Sequence, residues 1–185
     1  VKGKMNKPAM NPGTASEKRP QFRFDEDKGI ALEFPLGIPG FEDLHNFHLY
    51  ELLDYPRFAF LVADEERQVA MLLLDPQVLA QHDAIKIPGE KLTQVSLAKD
   101  DEICTFLVLR LNHQLGRLTA NLRAPIVVST RLRTGHQIIL DDDSLPISYA
   151  LMEDDTSGKV NANNENVRSI DVLKQSSPNA STGGR

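Results

Sequence analysis

The thirty residues "ICTFLVLRLNHQLGRLTANLRAPIVVSTRL" (Ile103 to Leu132) decide how the rest of the chain is read. Two runs inside it, TFLVLRL and IVVSTRL, are mostly apolar or β-branched. Such runs predict strands covered on both faces, in the middle of a sheet. NHQLG, and RTG just downstream, have the length and glycine content of hairpin connections. Working upstream, IALEF places Ile30, Leu32 and Phe34 on one face by simple alternation. FRF, NFHLYEL, FAFLVAD, QVAMLLLD, IKI and QVSL read as further strands, and HQIIL follows on the other side. The separators DEDKG, LGIPG, DYP, DEER, IPGE and KDDE are turn-formers. About ten short strands at this spacing predict an all-β sandwich or closed barrel. Helix is confined to two short candidates. DPQVLAQH has Asp75 as N-cap and Pro76 at the first helical position, and SLPISYALM has Ser144 as a cap.

Composition sets the limits of the domain. Hydrophobic residues are 41% of 185, slightly low for a compact globule. Residues 1–20, a basic leader, and 152–185 hold too little apolar surface to offset ordering entropy and are expected to be disordered. One folded domain over 21–151 remains. Residues 1–20 carry five cations against one acid, and the last thirty-five residues carry four against five. The central body therefore holds −8 within a chain whose net charge is −5. Such a body repels phosphate backbones, which argues against nucleic acid as a direct partner and favours a basic protein. Cys104 is the single cysteine, which leaves no disulfide framework or cysteine-based metal cage and fits a reducing cytosol. With no long apolar run and no signal-type segment, the expected location is cytoplasmic, away from membrane.

Candidate chemistry is sparse. His45 and His48 follow Glu42 and Asp43 in FEDLHNFH, but no third metal ligand is marked. His82 and Asp83 adjoin at a predicted helix end, and His113 and His136 fall in predicted hairpin turns. Asp141, Asp142 and Asp143 read as a solvated strand end. No nucleophile elbow, Cys–His signature or phosphate loop is present, so neither catalysis, metal nor cofactor is expected. The segment FPLGIPGFEDL (Phe34 to Leu44) contains the Gly-x-x-Gly spacing of a nucleotide clamp. It follows a strand and is trailed by acids, which fits a tight double turn instead. Gly37 and Gly40 would supply positive φ, Pro35 and Pro39 would fix their neighbours, and Phe41 would be pressed into the core. Asn121, at the break between RLTANL and APIVV, is placed to satisfy backbone groups beside Pro125, which lacks a donor. Gln137 is read with it as a buried hydrogen-bond bracket, with direct contact to a partner as the alternative for both.

These residues resemble the FliW family of flagellar assembly factors. Three anchors carry the likeness, in order: Gly37-x-Pro39-Gly40-Phe41-Glu42, Asn121-Leu122-x-Ala124-Pro125-Ile126-Val127 and Gly135-x-Gln137-x-Ile139-Leu140. The likeness runs from about Phe34 to Leu140, and the segment from Thr119 to Val127 is its most specific part. It implies a small antiparallel β-barrel without enzymatic activity. It also implies two partners, flagellin and the RNA-binding regulator CsrA, whose block on flagellin messenger RNA is thereby removed. One departure stands out: AQHDAIKI offers His82 and Asp83 where family members usually place a tyrosine.

An acidic body suits a partner with a cationic RNA-binding surface, and Glu42, Asp43, Asp64, Glu65 and Glu66 are the residues expected to attract it. The competing reading is a flavin-binding split barrel or small enzyme, for which Arg131, Arg133 and Thr134 form the one basic and hydroxyl cluster. Arginines alternating as in STRLRT more often mark the solvent face of a strand.

Overall fold

The structure, a computed structural model, describes residues 23–79, 83, 85–98, 101–112, 117–151 and 168–176. Its organising element is β5 (Ile103–Asn112), which pairs antiparallel with three strands. β4 (Ala70–Leu74) lies along one edge, with Leu73 opposite Val108. The other edge is shared by β6 (Arg117–Ala120) and β7 (Ile126–Ser129), which read as one strand interrupted at residues 121–125. The interruption forks the sheet. One branch continues from β6 to β9 (Tyr149–Ala150), and the other from β7 to β8 (Gly135–Gln137). Upstream, β1 (Ile30–Glu33), β2 (Asn46–Leu52) and β3 (Tyr55–Ala63) form a meander that joins β4.

Among the described residues all nine strands belong to antiparallel ladders, so the all-β class holds. The barrel, however, is not closed by a ladder. The β7–β8 hairpin returns to the end of β1 at a single parallel bridge between Glu33 and Thr134, where Glu33 N donates to the Arg133 carbonyl at 2.9 Å. Burial on both faces is realised at the centre: every residue of β7 is buried, with Ile126 and Val128 in one core and Val127 in another. The first core gathers Leu32, Phe34, Phe47, Leu49, Leu61 and Phe106. The second gathers Phe58, Leu74, Leu107 and Leu109 beneath α1 (Gly89–Gln94), which contributes Leu92.

Several segments depart from expectation. QVSL is not a strand. Pro88 and Gly89 open α1, and its Glu90 and Lys91 sit at the ends that the helix dipole favours. FRF and IKI have no ladder partners: Arg23 and Phe24 are irregular, as are Ile85 to Ile87. SLPISYALM is not a helix, because Tyr149 and Ala150 are drawn into pairing with β6. DPQVLAQH contributes one 3-10 turn, Pro76–Val78, capped by Asp75 as anticipated. His136 lies buried within β8 rather than in a turn. His82 and His113 lie outside the described residues.

The largest correction is at the C-terminus. Within the stretch expected to be disordered, α2 (Ser169–Gln175) packs Ile170 and Leu173, 4% and 0% exposed, into the first core. Two aliphatic residues three apart give a two-turn helix an apolar face, though they are diluted in a polar tail. Asp75 is the hub of this contact. Its Oδ1 accepts from Gln77 N at 3.0 Å, and its Oδ2 accepts from Arg57 Nη1 at 3.2 Å and Ser169 N at 3.0 Å. Both members of the Arg57–Asp75 pair are buried.

The loop after β1 is held by its glycines. Gly37 and Gly40 have φ of +66° and +89°. A Cβ on Gly37 would stand 2.5 Å from the Glu42 carbonyl oxygen. The residue pressed inward is Ile38, 2% exposed, while Phe41 is 39% exposed and faces out. The reversal follows from the Ile38–Phe41 bridge, which turns the chain back after Ile38 has filled the space. Gly135 is required for a different reason: the Phe34 ring occupies the place of its Cβ, with a ring carbon 2.4 Å away.

Two substitutions test this account in urea unfolding. Gly37→Ala combines left-handed strain with a backbone clash and is expected to cost about 1–3 kcal/mol. Asp75→Ala strands the buried Arg57 guanidinium and is expected to cost about 3–5 kcal/mol. An unchanged midpoint for either would remove the role assigned to that residue.

Candidate functional site

The break that forks the sheet is built by side-chain amides. Asn121 Oδ1 accepts from Arg123 N and Ala124 N, each at 3.1 Å, and Asn121 N donates to the Val108 carbonyl of β5. Gln137 Nε2 donates to the Ala124 carbonyl at 2.9 Å. Pro125 presents its carbonyl to Ile138 N at 2.9 Å. Asn121, Pro125 and Gln137 thus form one bracket that substitutes for ladder bonds where the strand detours. Their hydrogen bonds hold the backbone at the break.

The acids lie where β2 begins. Asn46 donates to Glu65 Oε1 through its backbone N at 3.2 Å and its Nδ2 at 2.8 Å, and Asp64 N donates to the Asn46 carbonyl at 2.9 Å. His48 Nδ1 stands 2.7 Å from Asp64 Oδ1. Glu42 Oε1 accepts from Gly40 N at 2.8 Å, and this bond holds its carboxyl below the ordinary range. Glu65 is lowered likewise, by backbone N–H groups and by Asn46. All five acids, Glu42, Asp43, Asp64, Glu65 and Glu66, are exposed. Asp64 and Glu65 meet the chain at Asn46, three residues after Asp43, whereas Glu42 bonds back within its own loop to Gly40. Pro39, Gly40 and the outward Phe41 form the adjoining loop.

A cleft of about 220 Å³ opens behind that loop, lined by Pro35, Leu36, Leu97, Leu132, Thr134 and His136. Leu36 and Leu132 are exposed at its edge. Burial lowers the His136 pKa by disfavouring the charged ring. Its Nδ1 and Thr134 Oγ1 are buried without hydrogen-bond partners.

The residues named for a phosphate site do not converge. Arg131 pairs with Asp101 at 3.1 Å, whereas Arg133 turns inward and donates to the Leu173 carbonyl of α2. Arg133 therefore departs from the solvent-facing alternation of STRLRT. The acid run is also dispersed: Asp141 pairs with Lys91, Asp143 with Arg123, and Asp142 accepts from Ser144. Among the described residues no group of three or more His, Cys, Asp or Glu is arranged to hold a metal. What the sequence reading missed is the inward set Arg57, Asp75 and Arg133. Its one signal was an arginine at an inward position of β3, immediately before Phe58.

Comparison with known proteins converges on one family. The model of the FliW protein family matches residues 15–151. The flagellar assembly factor FliW of Clostridium tetani is 28% identical over 130 residues, 70% of this chain and 89% of that protein. The protein of the same name from Caldanaerobacter subterraneus subsp. tengcongensis is 32% identical over 126 residues, 67% of this chain and 83% of its own length. A crystal structure of the flagellar assembly factor FliW superposes with a TM-score of 0.59 at 26% identity, covering 66% of this chain and 86% of the other. The chain belongs to the FliW family of flagellar assembly factors.

Proposed function

We propose that this chain is a regulatory binding protein without enzymatic activity, which takes up flagellin and CsrA in turn and so frees flagellin messenger RNA for translation. The observation that carries the reading is the family match across residues 15–151, which spans the described sheet from β1 to β9. The mechanism is linkage: flagellin bound to the chain lowers the amount free to hold CsrA, and export of flagellin reverses this. The setting is the cytoplasm, where the message is translated. Among the described residues no helix is long and apolar enough to cross a membrane.

The chemistry of the body supports capture over catalysis. Burial, with neighbouring acids adding to it, pushes the Cys104 thiol up to about 12, so at neutral pH it is not a thiolate nucleophile. The acids around Asn46 offer a different service. A surface of one sign raises the encounter rate with a partner of the other sign and orients it, an effect that salt screens. A CsrA surface built to bind RNA is such a partner.

Size-exclusion chromatography of the purified chain with flagellin, with CsrA and with both tests the reading. Each protein alone should co-elute with the chain, and an excess of one should displace the other; failure of both to co-elute would overturn the proposal. Neutralising the patch as Glu42→Gln, Asp43→Asn, Asp64→Asn, Glu65→Gln and Glu66→Gln should slow association with CsrA about tenfold at low ionic strength. The difference should shrink in high salt, and an unchanged rate at low salt would show that these acids do not steer.

A further inference from the structure

The groove beneath α2 supplies what a short helix lacks. A helix leaves its first N–H groups and last carbonyls without partners, and α2 has no side-chain cap of its own at Arg168. The body provides both ends. Asp75 Oδ2 accepts from Ser169 N, the first helical amide, at 3.0 Å. The Arg133 guanidinium donates to the carbonyl of Leu173 in the last turn. Between these caps, Cys104 Sγ donates to the Ser169 carbonyl at 3.1 Å, and the first core receives Ile170 and Leu173. Glu51 gathers the charge by pairing with both Arg168 and Lys174.

Two of these features are indifferent to the identity of the helix. The caps bind main-chain atoms, so they accept any two-turn helix with aliphatic residues three apart. Arg133 Nη1 is buried without a partner beside the bonded Nη2 and has a donor left for another terminal carbonyl. Arg133 is also held at φ +58°, a conformation uncommon for its type, while its backbone carbonyl receives Glu33 N. The groove is therefore fixed by the body rather than by α2.

The helix itself stands outside the family's span, because the match ends at residue 151 and α2 begins at Ser169. In the Clostridium tetani relative, 130 aligned residues are 89% of the protein, which leaves about sixteen at its two ends together. That is fewer than the twenty-four from 152 to 175 that this chain uses to reach the end of α2. A two-turn helix is too short to be stable alone, so α2 draws its order from the groove.

We propose that this groove is a pre-capped docking surface for an amphipathic helix of a protein partner, and that α2 occupies it in cis as a competitor. The partner helix carries two aliphatic residues three apart and flanking cations that reach Glu51 and the acidic body. The identity of that partner as flagellin or CsrA rests on the function proposed above; the helix-accepting character of the groove does not.

Cys104, the one thiol in the chain, lies under α2 and reports on its docking. In the full chain it should alkylate slowly at pH 8. Leu173→Asp, which forces α2 out, should raise that rate at least tenfold; Arg168→Glu with Lys174→Glu, which spares the core, should do so to a lesser degree. A synthetic peptide of residues 165–178, added to Leu173→Asp, should restore protection, and Arg133→Gln in that background should weaken the restoration. Flagellin or CsrA should bind Leu173→Asp at least tenfold more tightly than the full chain, since removing a competitor raises the competent fraction. The proposal is overturned if the peptide fails to protect the thiol. It is equally overturned if both α2 variants expose the thiol while affinity for a partner that binds stays the same or falls. If neither flagellin nor CsrA binds any form, the functional reading falls, and peptide protection alone decides the groove.

Discussion

A strand covered on both faces and paired on both edges has no solvent-facing side, and β5 approaches that condition. Leu107 and Leu109 enter one core while Cys104 and Phe106 enter the other, and β4, β6 and β7 occupy its edges. β4 pairs with it only at Leu107 and Val108. On the other edge β6 and β7 together cover residues 103–106 and 109–112, and those two strands must leave that edge in different directions. The interruption at Asn121 to Pro125 makes this possible. It lets one edge partner diverge into two branches, and the amide bracket replaces the ladder bonds lost at the divergence. The bracket is half-buried, and removing it costs more than its bonds contribute to the extent that the orphaned N–H groups are kept from water.

The fork has two consequences for the surface. One branch carries β8 back toward β1, so that Phe34 can lie across Gly135 and seal the first core near the opening loop. Because that loop is anchored by Ile38 and by the positive φ of Gly37, its remaining residues are free to face outward. Phe41 and the acids after it are therefore presented by a rigid turn, and the Glu42–Gly40 bond keeps even one of the acids in a fixed place. A charged surface held this way orients an approaching partner without losing much side-chain entropy on contact.

What could be read from the chain and what could not divide along the range of the interactions involved. The doubly buried runs, the alternation in IALEF, the cap at Asp75 and the positive φ of the loop glycines are properties of a few adjacent residues, and the sequence carries them openly. Phe41 went astray because side-chain size suggested an anchor, whereas the Ile38–Phe41 bridge decided direction. Closure of the barrel depends on how far the β7–β8 hairpin bends, which no local pattern encodes. The inward set Arg57, Asp75 and Arg133 was invisible because its members are 18 and more residues apart and each has an ordinary local role. The helix α2 was obscured by composition: Ile170, Val172 and Leu173 are too few to lift a polar tail above the disordered class, and their value appears only against Cys104 and Leu73.

The energetics of α2 explain why a docked segment need not be a permanent one. Burying two aliphatic side chains yields about 3–6 kcal/mol, while fixing seven backbone residues costs at least as much, at about 1–2 kcal/mol each. The caps and the pairing with Glu51 therefore decide whether the helix stays; any competing helix inherits the caps, and one with flanking cations inherits the pairing as well. A segment tethered through residues 152–167 acts at an effective concentration of order millimolar. A partner helix in solution must exceed that advantage through contacts α2 does not make, and the acidic end of the sheet and the unpaired Nη1 of Arg133 are where such contacts are available. The tail then sets the partner concentration at which the groove is filled, and it leaves the sheet beneath it unaltered.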